Sequence, residues 1–237
     1  MNMQNKTFVI DLDGTLIKGQ SQRYLIQYLR KVRKISFFKH MVILSAFVLY
    51  KMSLYRDIPK LLQYSLNNFK GELESEIYKD VNVFFENVLK TKYFKHTKVM
   101  IKIIQDSGAD IVILSAVIDP LVKRICEDLG IKKYISTLLE FDEHKAFTGH
   151  IIGKQVYANT KLINLQDYME ENKIPEYDIT IITDHISDVS LIKHFKHSII
   201  ANPGPVMKKW ARQNNYPVIY LDNNESIQYI KHYIESQ

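Results

Sequence analysis

Three short apolar segments, rich in β-branched residues, each run straight into a polar side chain. Lys6–Asp11 (KTFVID) continues into Leu-Asp-Gly-Thr, Asp110–Ser115 (DIVILS) ends in a hydroxyl, and Asp178–Thr183 (DITIIT) ends against Asp184. Apolar runs of this length without polar alternation are the pattern of strands buried on both faces. Helical periods separate them: Val99–Gln105 closed by Gly108, Pro120–Leu129 closed by Gly130, and Lys161–Glu171. Leu138–Phe141 and Ala146–Ile152 read as strands around a polar turn. Ser198–Ala201 and Val218–Leu221 are two more strands with a helix between them, and a last helix runs from Glu225 to about Ile234. Strands alternating with helices predict an α/β fold, a parallel sheet with helices on both faces.

Between the first two strands the pattern is different. From Ser21 to Lys90 every period is helical. Tyr24, Leu25, Tyr28, Leu29 and Val32 form one stripe. Ile58, Leu61, Leu62, Ser65, Leu66 and Phe69 form a second, and Leu73, Ile77, Val81, Phe84, Phe85 and Val88 a third, with Gly71 between these two. The expectation is an all-helical insert: residues 19–94 inserted into a core made of 1–18 and 95–237.

The insert also holds the charge. The 237-residue chain is formally +6, yet Arg30–Lys60 carries +7 and the remainder −1. One basic segment on a near-neutral protein is not the footprint of a nucleic-acid binder, and no nucleic-acid partner is expected. The same segment contains Met41–Tyr50 (MVILSAFVLY), ten residues without a charge, preceded by Ile35–Phe38 (ISFF). That is too short for a bilayer span of about 20 residues. Two readings remain: a helix packed inside the insert, or one lying in the interface of an anionic membrane. The first is preferred, because apolar helices of this length usually belong to a core. Arg23 and Arg56 are candidate substrate contacts, with a snorkelling surface side chain the preferred reading of each.

Composition narrows the rest. Hydrophobic residues are 46% and charged residues 24%, an ordinary globular balance. One cysteine, Cys126, excludes an internal disulfide and a cysteine zinc cluster; beside Ile125 and Leu129 it reads as core. Met1–Asn5 is not an apolar leader, so a reducing, cytoplasmic location is expected.

The candidate chemistry lies where the strands end. Asp11, Asp13, Ser115, Asp184 and Asp188 fall at C-terminal strand edges, where open α/β sheets bind ligands. Crowded carboxylates repel one another and call for a cation. Oxygen ligands without a His or Cys cluster favour Mg²⁺ over zinc. Ser115, the N–H of Ala116 and Lys161 suit the oxygens of a phosphate. A carboxylate can then serve as nucleophile, and a second one can move the proton. His185 reads as a bystander.

Four segments in this order resemble the motifs of the haloacid dehalogenase superfamily: Asp11-Leu-Asp-Gly-Thr-Leu16, Leu114-Ser-Ala-Val117, Lys161 in Asn-Thr-Lys-Leu-Ile-Asn-Leu, and Ile182-Thr-Asp-His-Ile-Ser-Asp-Val189. The helical insert and Ala201-Asn-Pro203 with its following helix, Lys208–Asn214, resemble the phosphoserine-phosphatase-like group of subfamily IB. The resemblance implies a Rossmann-like core with an all-helical cap. It implies a Mg²⁺-dependent phosphomonoester hydrolase working through an aspartyl-phosphate. By the same resemblance Asp11 is nucleophile and metal ligand, and Asp13 is acid/base and a ligand through its carbonyl. Thr15, Ser115 and Ala116 bind substrate, and Lys161 holds phosphate. Asp184 ligates the metal, with Asp188 at or behind it. Superfamily dehalogenases lack an acid at the position of Asp13, so its presence favours phosphate esters.

The chain departs from the pattern in places. Thr183 replaces the usual Gly and is expected to crowd the metal, and His185 stands where a small Ser is common. Gln20 occupies the position of the Glu that reads the substrate amine in phosphoserine phosphatases, so phosphoserine is not the expected substrate. The basic, apolar cap is similar in type to that of bacterial phosphatidylglycerophosphatase C enzymes, which implies an amphipathic or phospholipid phosphate and a peripheral contact with the inner face of the membrane. A soluble small-metabolite phosphatase and a catalytically weak membrane- or partner-binding protein are the alternatives.

Overall fold

The computed structural model describes residues 3, 5–51, 64–67 and 69–236. Six strands form one sheet: β1 (Thr7–Ile10), β2 (Asp110–Ile118), β3 (Lys133–Thr137), β6 (Ile179–Thr183), β7 (His197–Ala201) and β8 (Val218–Ile219). Every pairing in it is parallel, in the order β3-β2-β1-β6-β7-β8. The chain builds outward from β1 to β3 on one side, then returns to build β6 to β8 on the other. The reversal falls at β1, whose Ile10 is level with Ile113 on β2 and Ile182 on β6.

Side-chain alternation along β1 distributes the core to both faces. Phe8 and Ile10 join the larger cluster with Ile104, Ile125 and Ile230. Val9 joins the opposite cluster with Leu165, Met169 and Leu191. The helices responsible are α4 (Thr97–Asp106), α5 (Asp119–Leu129) and α9 (Asn224–Glu235) on the first face, and α6 (Asn159–Asn172) and α7 (Val189–His194) on the second. A further helix, α8 (Pro205–Gln213), covers β7 near the edge through Met207 and Ala211 against Ile200.

Some boundaries differ from the sequence expectations. β2 does not stop at Ser115 but runs to Ile118, with a register irregularity against β3 between Leu114 and Ile118. β3 was not expected at all. It is an edge strand, half-exposed through Lys133–Ile135, so it lacks the continuous apolar run of its neighbours. Helix α8 starts at Pro205 rather than Lys208, with the proline in its first turn. The hairpin expected at 138–152 is present as β4 (Leu139–Phe141) and β5 (Phe147–Ile151), a separate antiparallel pair. Cys126 is buried in α5, as expected, and burial pushes its thiol up to about 12.

The insert leaves and re-enters through one narrow doorway. Lys18 N–H donates to Lys92 O (2.7 Å) and Phe94 N–H to Leu16 O (3.1 Å). It contains α1 (Ser21–Lys31), α2 (Phe37–Lys51) and α3 (Glu74–Asn87). Of the second apolar stripe, Ile58, Leu61 and Leu62 lie outside the described residues, as does Arg56; Leu66 is buried. In the third stripe Ile77, Val81, Phe84 and Phe85 are buried, but Leu73 is exposed. The reason is local. Leu73 is extended ahead of α3, and the 71–73 stretch bonds to the hairpin instead, through Gly71 N–H to Phe147 O (2.8 Å) and Phe147 N–H to Glu72 O (2.9 Å). Among the described residues, this stretch breaks the expected all-helical pattern of the insert. Helix α3 is fastened to α5 by Tyr78 on Asp119 (2.9 Å) and by Arg124, which reaches Asn82 (2.7 Å) and Glu86. Among the described residues no helix is long and apolar enough to cross a membrane.

Candidate active site

The site begins where β1 ends. Asp11 N–H still bonds to Ile182 O (2.9 Å), so the aspartate is held in the ladder at the point where the sheet reverses direction. The chain then turns sharply: Leu16 and Ile17 N–H both return to Leu12 O. Gly14 has φ +82°, and a Cβ on it would lie 2.0 Å from Asp184 Oδ2. Only glycine fits there, because Asp184, arriving from β6, is packed directly on the turn.

Lys161 ties the carboxylates together. It lies in the first turn of α6 with its side chain buried, and its Nζ bonds Asp11 Oδ1 (2.9 Å) and Asp188 Oδ2 (2.8 Å). Burial works against the ammonium charge, but the two carboxylates outweigh it and hold Lys161 protonated above the usual lysine value. Burial raises Asp11, and Lys161 only partly offsets this. Asp188 goes the other way. Burial opposes its charge too, yet Lys161 and the hydroxyls of Thr183 and Ser187 keep it ionised below the usual range. The Thr183 hydroxyl donates to Asp188 Oδ2 (2.7 Å) and Ser187 to Oδ1 (3.1 Å). Asp188 thus sits fully buried behind Lys161.

Asp13 is held differently. Its two carboxylate oxygens receive Ser21 N–H (2.9 Å) and Ser21 Oγ (3.0 Å), at the start of α1. The helix N-terminus favours the negative charge. Burial is nevertheless the larger effect and pushes Asp13 up to about 7. Asp184 is pushed up to about 8, first by burial and then by the charge of Asp11.

The remaining expected residues divide. Ser115 is buried at the β2 irregularity, with its Oγ accepting Val117 N–H (3.3 Å). Ala116 presents its carbonyl to Gln22 Nε2 (3.2 Å) and Thr137 Oγ1 (3.0 Å). Thr15 is buried, its hydroxyl 3.5 Å from Asp184 Oδ1. Gln20 is exposed and precedes α1 without capping it. Gln22, two residues on, is the glutamine that reaches β2, at the Ala116 carbonyl. His185 is exposed, and its Nδ1 accepts Ser187 N–H (3.2 Å), which closes the turn carrying Asp188.

Ser21 and Gln22 were missed, and Asn202 was noted only as part of the Ala201-Asn-Pro203 motif, with no role at the site. Asn202, just past β7, donates to Thr15 O (2.8 Å) and accepts Leu221 N–H (2.7 Å), bracing the turn from the far side. A serine directly before an amphipathic period was the one available signal for Ser21.

Among the described residues, four carboxylates therefore gather around one ammonium group at this edge, and three of them, Asp11, Asp13 and Asp184, are held above their normal range. That excess favours a bound cation. Among the described residues no three His, Cys, Asp or Glu side chains converge into a cage of their own. A cation here would draw further oxygens from the backbone, water or substrate, a donor set that suits Mg²⁺.

The sequence profile of the haloacid dehalogenase-like hydrolases matches residues 8–193. No curated protein sequence matches the chain. Among solved structures, a protein of unknown function from Bordetella pertussis Tohama I superposes with a TM-score of 0.83 at 17% identity, over 92% of this chain and 99% of the other. A phosphoserine phosphatase captured as an analogue of its phospho-aspartyl intermediate gives 0.66 at 17% identity, over 97% and 99%. Cytosolic 5'-nucleotidase IIIB bound to cytidine gives 0.65 at 13%, over 99% and 88%. At these identities the likeness is one of fold.

Proposed function

Because this chain belongs to the haloacid dehalogenase-like hydrolases, we propose that it is a phosphomonoester hydrolase whose reacting group is the Asp11 carboxylate. The observation that carries this reading is Lys161 bridging Asp11 and Asp188 at the sheet's reversal point, with Asp13 on the adjacent turn. The phospho-aspartyl analogue of the structurally similar phosphoserine phosphatase supports it.

The chemistry follows from where the protons are. Asp11 attacks phosphorus and the bond to the leaving oxygen breaks. Asp13, near half-protonated at neutral pH, gives that oxygen its proton. The ionised Asp13 then takes a proton from water. The water oxygen attacks phosphorus, and the bond to Asp11 breaks to release phosphate. Lys161 fixes Asp11 and offers its charge to a phosphate oxygen. The Ser115 hydroxyl and the Ala116 N–H are the proposed partners of the other oxygens. Thr15 and Gln20 are proposed to line the leaving-group side. Mg²⁺, held by Asp11, Asp184 and the Asp13 carbonyl with Asp188 behind, would neutralise charge on the transferring phosphoryl group.

Residues 19–94 are the proposed cap over a core of 1–18 and 95–237. An amphipathic or phospholipid phosphate is the favoured substrate, given the basic, apolar character of the cap. One observation favours the soluble-metabolite alternative. The space between α1 and α3, lined by Leu25, Leu29, Ile77, Val81, Ile118 and Leu139, is only about 20 Å³. That is little more than one water molecule and excludes an acyl chain from this spot. The test is phosphate release with Mg²⁺ from soluble esters and from phosphatidate and phosphatidylglycerophosphate in micelles. Release by wild type, lost in Asp11→Asn, is expected; no release from any ester by folded protein overturns the reading.

A further inference from the structure

Helix α2 has its apolar side turned the wrong way for a packed helix. Phe37, Phe38, Met41 and Ser45 fall within an arc of about 100° on a helical projection, and all four are exposed. Phe37 is 62% and Phe38 77% exposed, and Met41 is 47%. The opposite side carries Ile43, which is fully buried, with Val42 and Leu44 half-buried between. Val32, in the turn that leads into this helix, is exposed as well. A helix that is apolar all round normally has both sides covered. Here the described part has one side covered by the protein and one side bare.

Cations rim the bare side. Lys31 is exposed at the end of α1 and Arg33 in the turn after it, and among the described residues neither has an ion-pair partner. Arg30 lies over the Phe37 ring, 5.6 Å from its centroid. From Arg30 to Lys60 the sequence contains eight Lys and Arg and a single acid, Asp57. Lys34 is the exception on the rim, since it pairs inward with Asp80 and Glu72.

We propose that this corner, Val32, Phe37, Phe38 and Met41 with Lys31 and Arg33, docks onto an anionic lipid bilayer surface. Charge selects the occupant. A second copy seated face to face would set the same unpaired cations against each other, whereas anionic headgroups neutralise them. Adjacent exposed phenylalanines at the start of a helix match the interfacial mode, in which aromatic rings enter the acyl boundary while Lys and Arg stay with the headgroups. The helix lies in the interface and does not cross it. This goes beyond the phosphatase reading and does not depend on it, because no catalytic step is involved.

The experiment is flotation of the full chain with vesicles of equimolar phosphatidylglycerol and phosphatidylcholine, and with phosphatidylcholine alone. Neither vesicle contains a phosphate monoester. Binding is expected only to the anionic vesicles, weakened by high salt. Phe37→Ser/Phe38→Ser should lower the bound fraction about tenfold, and Lys31→Gln/Arg33→Gln should lower it and flatten its salt dependence. Both variants alter exposed side chains, so their melting temperatures and their turnover of a soluble ester should match wild type. Asp11→Asn should bind vesicles as wild type does, which separates docking from catalysis. Absence of wild-type binding at low salt overturns the proposal, as does binding unchanged in both variants. A dimer that dissociates in Phe37→Ser/Phe38→Ser, with no vesicle binding, would assign the face to a second copy instead.

Discussion

The Thr183 hydroxyl donates to Asp188 Oδ2 across 2.7 Å, on the same oxygen that receives Lys161. Thr183 was expected to crowd a bound metal. Its side chain is engaged with the carboxylate that orients the lysine, and it is 1% exposed. Thr183→Val keeps the shape and removes the donor. A hydrogen bond to a buried charge contributes about 1.5–3 kcal/mol, so turnover should fall about tenfold or more while Thr183→Ser stays near wild type. Equal rates in the two variants, measured on one soluble ester, would show that the hydroxyl has no such role.

Among the described residues, Lys161 is the only ammonium group touching Asp11 and Asp188. Lys161→Met leaves both carboxylates buried without their counter-charge, a loss of about 3–5 kcal/mol. Urea denaturation should show it, and adding Asp188→Asn to that variant should recover part of it. A single variant within about 1 kcal/mol of wild type would mean that the ion triad contributes little to the fold.

The turn before Asp184 has no room. Gly14→Ala places a Cβ 2.0 Å from Asp184 Oδ2 at a φ of +82°. The backbone strain alone costs about 1–3 kcal/mol, and Asp184 must move. The variant should fold and lose the rise in melting temperature that Mg²⁺ gives wild type. A full Mg²⁺ response in Gly14→Ala would place the cation away from Asp184.

Asp13 and Asp184 sit at about 7 and about 8, both chiefly through burial, against an ordinary value of 3.8. The folded protein therefore holds protons that the unfolded chain releases near pH 4. The stability contributed by those protons is complete below about pH 4 and is lost as pH rises through about 7 to 8. Asp188, held low, acts in the opposite sense only on the acid side. In EDTA the melting temperature should fall between about pH 5 and pH 8.5, and Mg²⁺ should raise it more at the alkaline end. A melting temperature that rises across that range, or an equal Mg²⁺ effect at both ends, contradicts the assignment.

What could be read from the sequence was what apolar continuity encodes. β1, β2 and β6 are buried on both faces, so their runs of Val and Ile stood out, and so did the polar residues that follow them. Lys161 was legible as a basic residue beginning a helix between two such strands. β3 was not, because an edge strand with Lys133 and Tyr134 half-exposed has no clean period. The Asp13–Ser21 bonds join a turn to a helix start, and no periodicity reports a contact of that kind. Asn202 acts from just past β7, two strands away from β1 in the sheet. Thr183 could be located but not interpreted, since its role depends on which way the hydroxyl points. Phe37 and Phe38 were read as part of an apolar helix more suited to a core. Apolar content alone does not say which side of a helix is covered.

In the proposed mechanism the phosphoryl group passes through Asp11. The direct measurement is acid quench of the enzyme during turnover of a phosphate ester with Mg²⁺, followed by peptide mass spectrometry with and without hydroxylamine. A hydroxylamine-labile phosphoryl group is expected on Asp11, absent from Asp11→Asn along with turnover. Phosphate release by wild type with no label on Asp11, and retained in Asp11→Asn, would contradict that mechanism.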